Sequence, residues 1–287
     1  FNVSSNDYLY HLYYEVLQYE DVSHLIEEIF ITEKSVKRQL VLSLQIERKY
    51  FEVYGAPIIG NVDEWKGIVL VFHDITELKR LEQMRQDFVA NVSHELRTPI
   101  TSIKGFSETL LDGDLKNEKI IRDFLTIILK ESERMQALIQ ELLELSKIEN
   151  QEFKLSLTKV DLNNIISEIG TMFNRKAEMK DINLEVKLSE MPIVIDADPY
   201  RLKQIFINLI SNAINYTPTG GKVTVFISQN EKYAFVEVKD TGVGIEKDEI
   251  PRIFERFYRV DRARSRNSGG TGLGLAIVKH LVEAHKG

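Results

Sequence analysis

The sequence predicts a multidomain α+β chain: a small α/β module, an antiparallel helical hairpin forming a dimeric four-helix bundle, and an α/β sandwich. Three observations carry this. The 287 residues exceed the roughly 100 to 200 of one ordinary domain. Between residues 88 and 145 the apolar positions recur every three or four residues, the period of helices with one buried stripe. Before and after that stretch, strand-like runs are interleaved with helical patterns and turn residues.

Composition narrows the class. With 43% hydrophobic and 28% charged residues, 15 Gly and 6 Pro, the chain has the apolar content of packed cores and too little Gly and Pro for a low-complexity polymer. A formal net charge of -7 argues against a basic surface, so no nucleic-acid partner is expected. The sequence has no cysteine, which removes disulfides, thiolate zinc sites and cysteine nucleophiles and suits a reducing compartment. No apolar run reaches the roughly 20 residues that span a bilayer, and no signal-peptide layout opens the chain. A membrane anchor is therefore expected outside this segment, which would be the cytoplasmic portion of the protein.

In the first module, residues 1–76, strand-like runs cover Val41 to Ile46, Tyr50 to Tyr54 and Gly67 to Phe72. Gly55, Pro57, Gly60 and Asn61 supply turn chemistry between the last two, which predicts a closing antiparallel hairpin. Asp74 or Thr76 then caps a helix that begins near Glu77. The second half of this module, with its exit HDITELKRLE, resembles the PAS domains that precede kinase cores.

The middle segment, residues 77–150, carries two helical stripes. Phe88, Val92, Leu96, Pro99, Ile103, Phe106 and Leu110 define the first, and Asp112-Gly113-Asp114 ends it. Ile121, Leu125, Ile128, Met135, Leu138, Leu142 and Leu145 define the second. Two amphipathic helices bury little alone, whereas two copies of the hairpin make a four-helix bundle, so a homodimer is expected. Residues 151–287 read as strand 154–160, a helix from Leu162, strand 182–188, a helix from Pro199, and strands 222–228 and 233–239. This order predicts a sandwich with helices on one face.

His94 stands two residues from both Val92 and Leu96, about 200° around the helix from each, and so faces away from the stripe. Ala90, Asn91, Thr98 and Thr101 share its side and are small or polar. A neutral imidazole attacks phosphorus through one nitrogen when the proton on the other is held or removed. Adjacent Glu95 is the candidate base for that. Pro99 lacks an amide proton and crowds the Glu95 carbonyl, weakening the helix beside the imidazole. The other histidines, His11, His24, His73, His280 and His285, show no metal-ligand spacing and are expected to be structural or surface residues.

In the last segment Asp198-Pro199 reads as an N-cap with proline at the first helical position. That helix carries Asn208 and Asn212 on one face, suited to Mg²⁺ or phosphate oxygens. Asp240-Thr-Gly242-Val-Gly244 follows a strand, where glycines admit a planar ligand and a carboxylate accepts an amine proton. Gly270-Thr271-Gly272-Leu273-Gly274 opens a helix whose amides suit a polyphosphate. It is neither a Walker loop nor a dinucleotide fingerprint. Between them FERFYRVDRARSRNS has an Arg-rich character that suits a lid.

The string HELRTPI resembles the acceptor box of bacterial sensor histidine kinases. The Asn helix, DTGVGI, FERFYRV and GGTGLGLAIVK resemble, in this order, the Bergerat ATP-binding domain those kinases share with chaperone and type II topoisomerase ATPases. The resemblance implies an ATP-dependent protein-histidine kinase with ATP and Mg²⁺ as cofactors. By it His94 is the phosphoacceptor, Glu95 the base and Thr98 the residue that orients water when a partner is dephosphorylated. Asp240 receives the adenine amine, Asn212 and Asn208 handle Mg²⁺, Tyr216 lines the nucleotide and Arg259 approaches the γ-phosphate. The lid it implies runs from about Glu246 to Thr271. The implied partner is a response regulator receiver domain bearing an acceptor Asp. The match is nearest to kinases of phosphate starvation or cell-wall homeostasis in Gram-positive bacteria. One departure is Asn215, where many members carry a phosphate-contacting lysine. An ATPase clamp without an acceptor histidine is the first rival, disfavoured by HELRTPI. An inert signalling scaffold is the second, disfavoured by the intact Asn212, Asp240 and glycine segments.

Overall fold

The computed structural model describes residues 12–17, 19–44, 47–60, 64–113, 117–150, 153–260 and 270–287. Ile46, Asn61, Asp114 and His11, and the part of the expected lid over 261–269, lie outside the described residues. The chain divides into two compact units, Phe1–Ala90 and Asn91–Gly287.

The first unit holds α1 (Tyr13–Val16), α2 (Glu20–Thr32), β1 (Val36–Leu44), β2 (Glu47–Ile59) and β3 (Trp65–Asp74). The strands form one antiparallel sheet in the order β1-β2-β3. One stripe of α2, Val22, Leu25 and Ile29, is fully buried against Leu40, Leu42, Phe51 and Val53. That alternation of buried and exposed positions is what a half-covered sheet requires. The expected hairpin is present, but Gly55 and Pro57 lie inside β2 rather than in its turn. A side chain at Gly55 would place a Cβ within 2.3 Å of Ile29 Cδ1, so this glycine makes room for the helix. Pairing with β1 stops at Gly55, so at Pro57 strand β2 has a free edge and the missing amide proton breaks no ladder. The turn starts at Gly60, whose N–H donates to the Glu64 carbonyl (2.7 Å).

At the exit the Thr76 N–H donates to Asp74 Oδ1 (2.9 Å), and the Tyr50 N–H donates to Thr76 Oγ1 (3.0 Å). Of the two expected caps Asp74 is the one used, and the Thr76 hydroxyl instead ties the start of the helix to β2. Helix α3 (Thr76–Asp112) begins here and runs unbroken into the second unit.

In the second unit α3 and α4 (Glu118–Glu149) form the helical hairpin. Asn117 caps α4 by accepting the Lys119 N–H (3.0 Å), and the Phe106 and Phe124 rings meet at 5.0 Å between the helices. Pro99 is buried within α3, whereas Val92, Leu96, Ile103, Phe106 and Leu110 are only half-buried. A hairpin alone leaves its apolar stripe partly open, as the bundle argument requires.

The remainder comprises β4 (Thr158–Asp161), α5 (Leu162–Met179), β5 (Asn183–Lys187), β6 (Val194–Ala197), α6 (Pro199–Tyr216), β7 (Lys222–Gln229), β8 (Ala234–Asp240), a 3₁₀ turn (Ile250–Arg252) and α7 (Gly274–Ala284). Strand β5 is parallel to β7, β7 is antiparallel to β8, and β4 pairs separately with β6. Val223, Val225 and Ile227 on the sheet are buried, as are Ile166 and Ile169 on α5, Ile210 and Ile214 on α6, and Ile277 and Leu281 on α7. The helices thus cover one face, as the pattern predicts. Two details differ. Strand β4 starts at Thr158, not Lys154, because the Ser156 N–H donates to the Asp198 carboxylate (3.0 Å) instead of to a strand. The four-residue β6 is additional to the predicted strands.

Candidate functional site

The imidazole of His94 is exposed on α3, and Thr98 and Thr101 are exposed on the same side. The helix stays continuous through Pro99. The Thr98 hydroxyl donates to the His94 carbonyl (3.2 Å), and the Thr101 hydroxyl to the Arg97 carbonyl (2.9 Å). These hydroxyls bond back to the preceding turn, so Thr98 has a local structural role beside any chemical one. Glu95 does not face open water. Its Oε2 accepts from Arg134 Nη2 of α4 at 3.1 Å, and Arg134 lies 3.9 Å from Glu131. Two carboxylates thus share one half-buried guanidinium, and Glu95, the residue after His94, is held by it.

The nucleotide residues expected from sequence converge around α6. Asp198 begins this helix, its Oδ1 accepting from the Tyr200 and Arg201 N–H groups (3.0 and 3.2 Å). Asn208 Nδ2 donates to the Gly274 carbonyl (3.3 Å), which ties α6 to the start of α7. Asn212, one turn on, is half-buried. At the end of α6, Tyr216 sits against both glycine segments. A Cβ on Gly242 would come within 2.8 Å of the Tyr216 carbonyl oxygen, and one on Gly270 would lie 3.9 Å from its phenol oxygen. Asp240 Oδ1 accepts the Gly242 N–H (2.8 Å), and the residue is exposed.

The second glycine segment is held from two sides. Gly272 has φ +78°, and a Cβ there would meet the Phe257 backbone at 2.9 Å; the Phe257 N–H donates to the Gly272 carbonyl (2.9 Å). The described part of the Arg-rich stretch therefore folds onto this segment through Phe257, and Arg259 follows, half-buried. On the other side the Thr271 hydroxyl donates to Glu141 Oε2 of α4. Burial pushes the Glu141 carboxyl above the ordinary carboxylate range, and the Thr271 hydrogen bond opposes that shift. Nearby, Arg201 pairs with Glu144 of α4, and Glu149 meets Arg256 and His280. The hairpin thus touches the glycine segment directly, through α4 rather than through the helix that bears His94.

Among the described residues no cluster of three His, Cys, Asp or Glu side chains is placed to hold a metal. The amides that α6 offers are Asn208, against Gly274, and Asn212, one turn further along the helix. That set fits Mg²⁺ carried in on phosphates, which keeps waters and takes only one or two protein ligands. Of the remaining histidines, His285 is structural: its Nδ1 donates to the Leu281 carbonyl (2.7 Å) and its Nε2 accepts the Asp198 N–H (3.1 Å).

Three functional contacts are not signalled in the sequence pattern. Arg134 reaches Glu95, Glu141 reaches Thr271, and Lys180 donates to three carbonyls at the end of α6. Each joins residues at least 34 positions apart, where periodicity and local spacing carry no information.

Comparison with known proteins agrees with this geometry. Residues 84–151 match the family "His Kinase A (phospho-acceptor) domain", and residues 197–287 match "Histidine kinase-, DNA gyrase B-, and HSP90-like ATPase". With an acceptor hairpin followed by this ATPase fold, the chain belongs to the sensor histidine kinases, as HELRTPI and the glycine segments implied. It is similar to the sensor histidine kinase WalK of Bacillus subtilis, 36% identical over 91% of this chain and 44% of that protein. It is also similar to the sensor protein kinase WalK of Staphylococcus aureus, 41% identical over 77% of this chain and 53% of that protein. The chain thus spans about half the length of these curated relatives. Among solved structures, the Acinetobacter baumannii histidine kinase AdeS is similar with a TM-score of 0.54 and 28% identity, covering 67% of this chain and 86% of that one. The histidine kinase ThkA, solved in complex with the response regulator protein TrrA, is similar with a TM-score of 0.54 and 25% identity, covering 86% of this chain and 74% of that one.

Proposed function

We propose that this chain transfers the γ-phosphoryl group of ATP to His94 and passes it on to an aspartate of a response regulator receiver domain. The observation that carries the proposal is the presence, in one compact unit, of an exposed histidine followed in sequence by a carboxylate that Arg134 holds, and of two glycine segments packed around Tyr216. An exposed histidine alone is ordinary; joined to a polyphosphate cradle it is a phosphoryl acceptor with its donor at hand.

In this reading Asp240 accepts the adenine amine, Gly242 and Gly244 admit the ring, and Tyr216 lines it. The amides of Gly270, Thr271, Gly272 and Gly274 face the phosphates at the start of α7, the Leu273 N–H being given to the Thr271 hydroxyl (3.3 Å), and Arg259 approaches the γ-phosphate. When bound, Mg²⁺ would be held by Asn212 and Asn208 and would neutralise charge on the β- and γ-phosphates. Glu95 takes the proton from the imidazole nitrogen that does not attack, and His94 displaces ADP in line. Thr98 orients the water that hydrolyses the regulator's phosphoaspartate, a separate reaction that releases inorganic phosphate. Two hairpins associate as a homodimeric four-helix bundle, supported by the half-buried stripe of α3. Residues 1–76 act as a PAS-like sensor, 77–150 as signalling helix and acceptor hairpin, and 151–287 as the ATP-binding domain. No helix among the described residues is long and apolar enough to cross a membrane. The segment is accordingly proposed as the cytoplasmic portion of a membrane-anchored kinase.

Calorimetric binding of Mg²⁺-ADP to the chain and to its Asn212→Ala and Asp240→Asn variants tests the nucleotide assignment. Both variants are expected to bind at least tenfold more weakly. Binding unchanged in both contradicts it.

A further inference from the structure

Lys180, the residue that follows α5, uses all three of its ammonium donors on the end of α6. Its Nζ donates to the carbonyl oxygens of Ile214 (2.7 Å), Asn215 (2.7 Å) and Thr217 (2.8 Å). These belong to the last turn of a helix, whose carbonyls have no intrahelical partner and carry the negative end of the macrodipole. A cation there is favourable, yet most helices end on water or glycine. Here the ammonium gives up water to do this, and burial pushes it below the ordinary lysine range.

The one carbonyl in the run 214–217 that Lys180 does not hold is that of Tyr216. It is turned toward Gly242, where a Cβ would approach it to 2.8 Å, while the phenol oxygen of the same residue stands near Gly270. The backbone next to Lys180 secures the same turn: Asp181, at φ +55°, accepts the Gly220 N–H through its carbonyl (2.7 Å), and the Asn183 N–H donates to the Gly221 carbonyl (2.9 Å). Residues 180–183 therefore hold residues 214–221 through five hydrogen bonds, and Tyr216, within that stretch, meets the two glycine segments.

We infer that Lys180 is a positioning residue of the nucleotide site, fixing the final turn of α6 so that Tyr216 stands where both glycine segments meet. The inference rests on the nucleotide reading proposed above. Lys180 touches neither nucleotide nor acceptor in it, so its loss weakens nucleotide binding while the rate of phosphoryl transfer at saturation is retained. Arginine keeps the charge and several donors at similar reach, so it restores part of the effect.

The test uses the full chain, with Mg²⁺-ADP affinity by calorimetry, the ATP dependence of autophosphorylation, and thermal unfolding without nucleotide. Lys180→Met is expected to raise the ADP Kd and the ATP KM about tenfold or more, with kcat within twofold of wild type, and Lys180→Arg to recover at least half of the lost affinity on a logarithmic scale. Affinity within twofold of wild type in Lys180→Met, or lower thermal stability with an unchanged KM, overturns the inference. Should Lys180→Met not fold, Lys180→Gln, which retains two N–H donors, is measured instead; a loss of threefold or more supports the role and an unchanged Kd removes it. Asp240→Asn separates the two claims. If it and Asn212→Ala both bind ADP as wild type does, the nucleotide reading fails and this inference with it; if they lose binding while Lys180→Met does not, only the role of Lys180 fails.

Discussion

Glu95, which follows the exposed His94 in sequence, is bound at 3.1 Å by Arg134 of the opposite helix of the hairpin. A general base must be aimed as well as present, and a half-buried guanidinium is a rigid way to aim it. Arg134→Met is expected to lower the autophosphorylation rate about 10- to 100-fold, less than the roughly 10²- to 10⁴-fold that a general base itself supplies, because the carboxylate remains and only its orientation is lost. The KM for ATP should stay within twofold, since no nucleotide residue is touched. Initial rates across ATP concentrations check this; a raised KM with an unchanged rate contradicts it.

Gly272 combines a left-handed backbone with a close neighbour. At φ +78° any L side chain is strained by roughly 1–2 kcal/mol, and a Cβ would also press on the Phe257 backbone at 2.9 Å. Gly272→Ala should displace Phe257 and the start of α7 together, weakening Mg²⁺-ADP binding by about tenfold or more, equivalent to ~1.4 kcal/mol. Gly105 is the control, because a Cβ there meets nothing within 4 Å. Gly105→Ala is expected to bind the nucleotide as wild type does.

The contact between Glu141 and Thr271 carries a pH signature. Burial raises the Glu141 carboxyl above its ordinary value near 4.5, so the folded chain binds that proton more tightly than the unfolded chain. Its contribution to stability is complete below the ordinary value and is lost as the pH climbs through the raised one. Glu141→Gln stays neutral and escapes the loss. Thermal unfolding should show the variant more stable than wild type near about pH 8, with the gap narrowing toward about pH 5. An equal gap at both ends contradicts the assignment.

Much of this was legible in the residues. The three-and-four spacing from Phe88 to Leu110 announced α3, and Asp198-Pro199 announced the start of α6, because both signals are local. His94 is exposed because helix geometry alone turns it from the stripe. Gly55 and Pro57 show where local reading fails. Their turn chemistry is real, but Ile29, distant in sequence, needs the space at Gly55, and packing outweighs propensity there. Strand β6 is too short to alternate visibly, and its partner β4 lies more than thirty residues earlier. The aim of Glu95 and the clamp of Lys180 depend on side chains meeting across helices, which no spacing rule encodes. The family resemblance supplied the remaining roles because HELRTPI and the glycine segments are short strings of high specificity.

The central claim is that His94 receives the phosphoryl group. Incubation of the chain with γ-labelled ATP and Mg²⁺, beside His94→Gln, tests it most directly. Wild type is expected to take up label that is stable to alkali and lost in acid, as a phosphoramidate is. The variant is expected to bind Mg²⁺-ADP normally and take up none. Label retained in His94→Gln at the wild-type level would place the acceptor elsewhere and contradict the account.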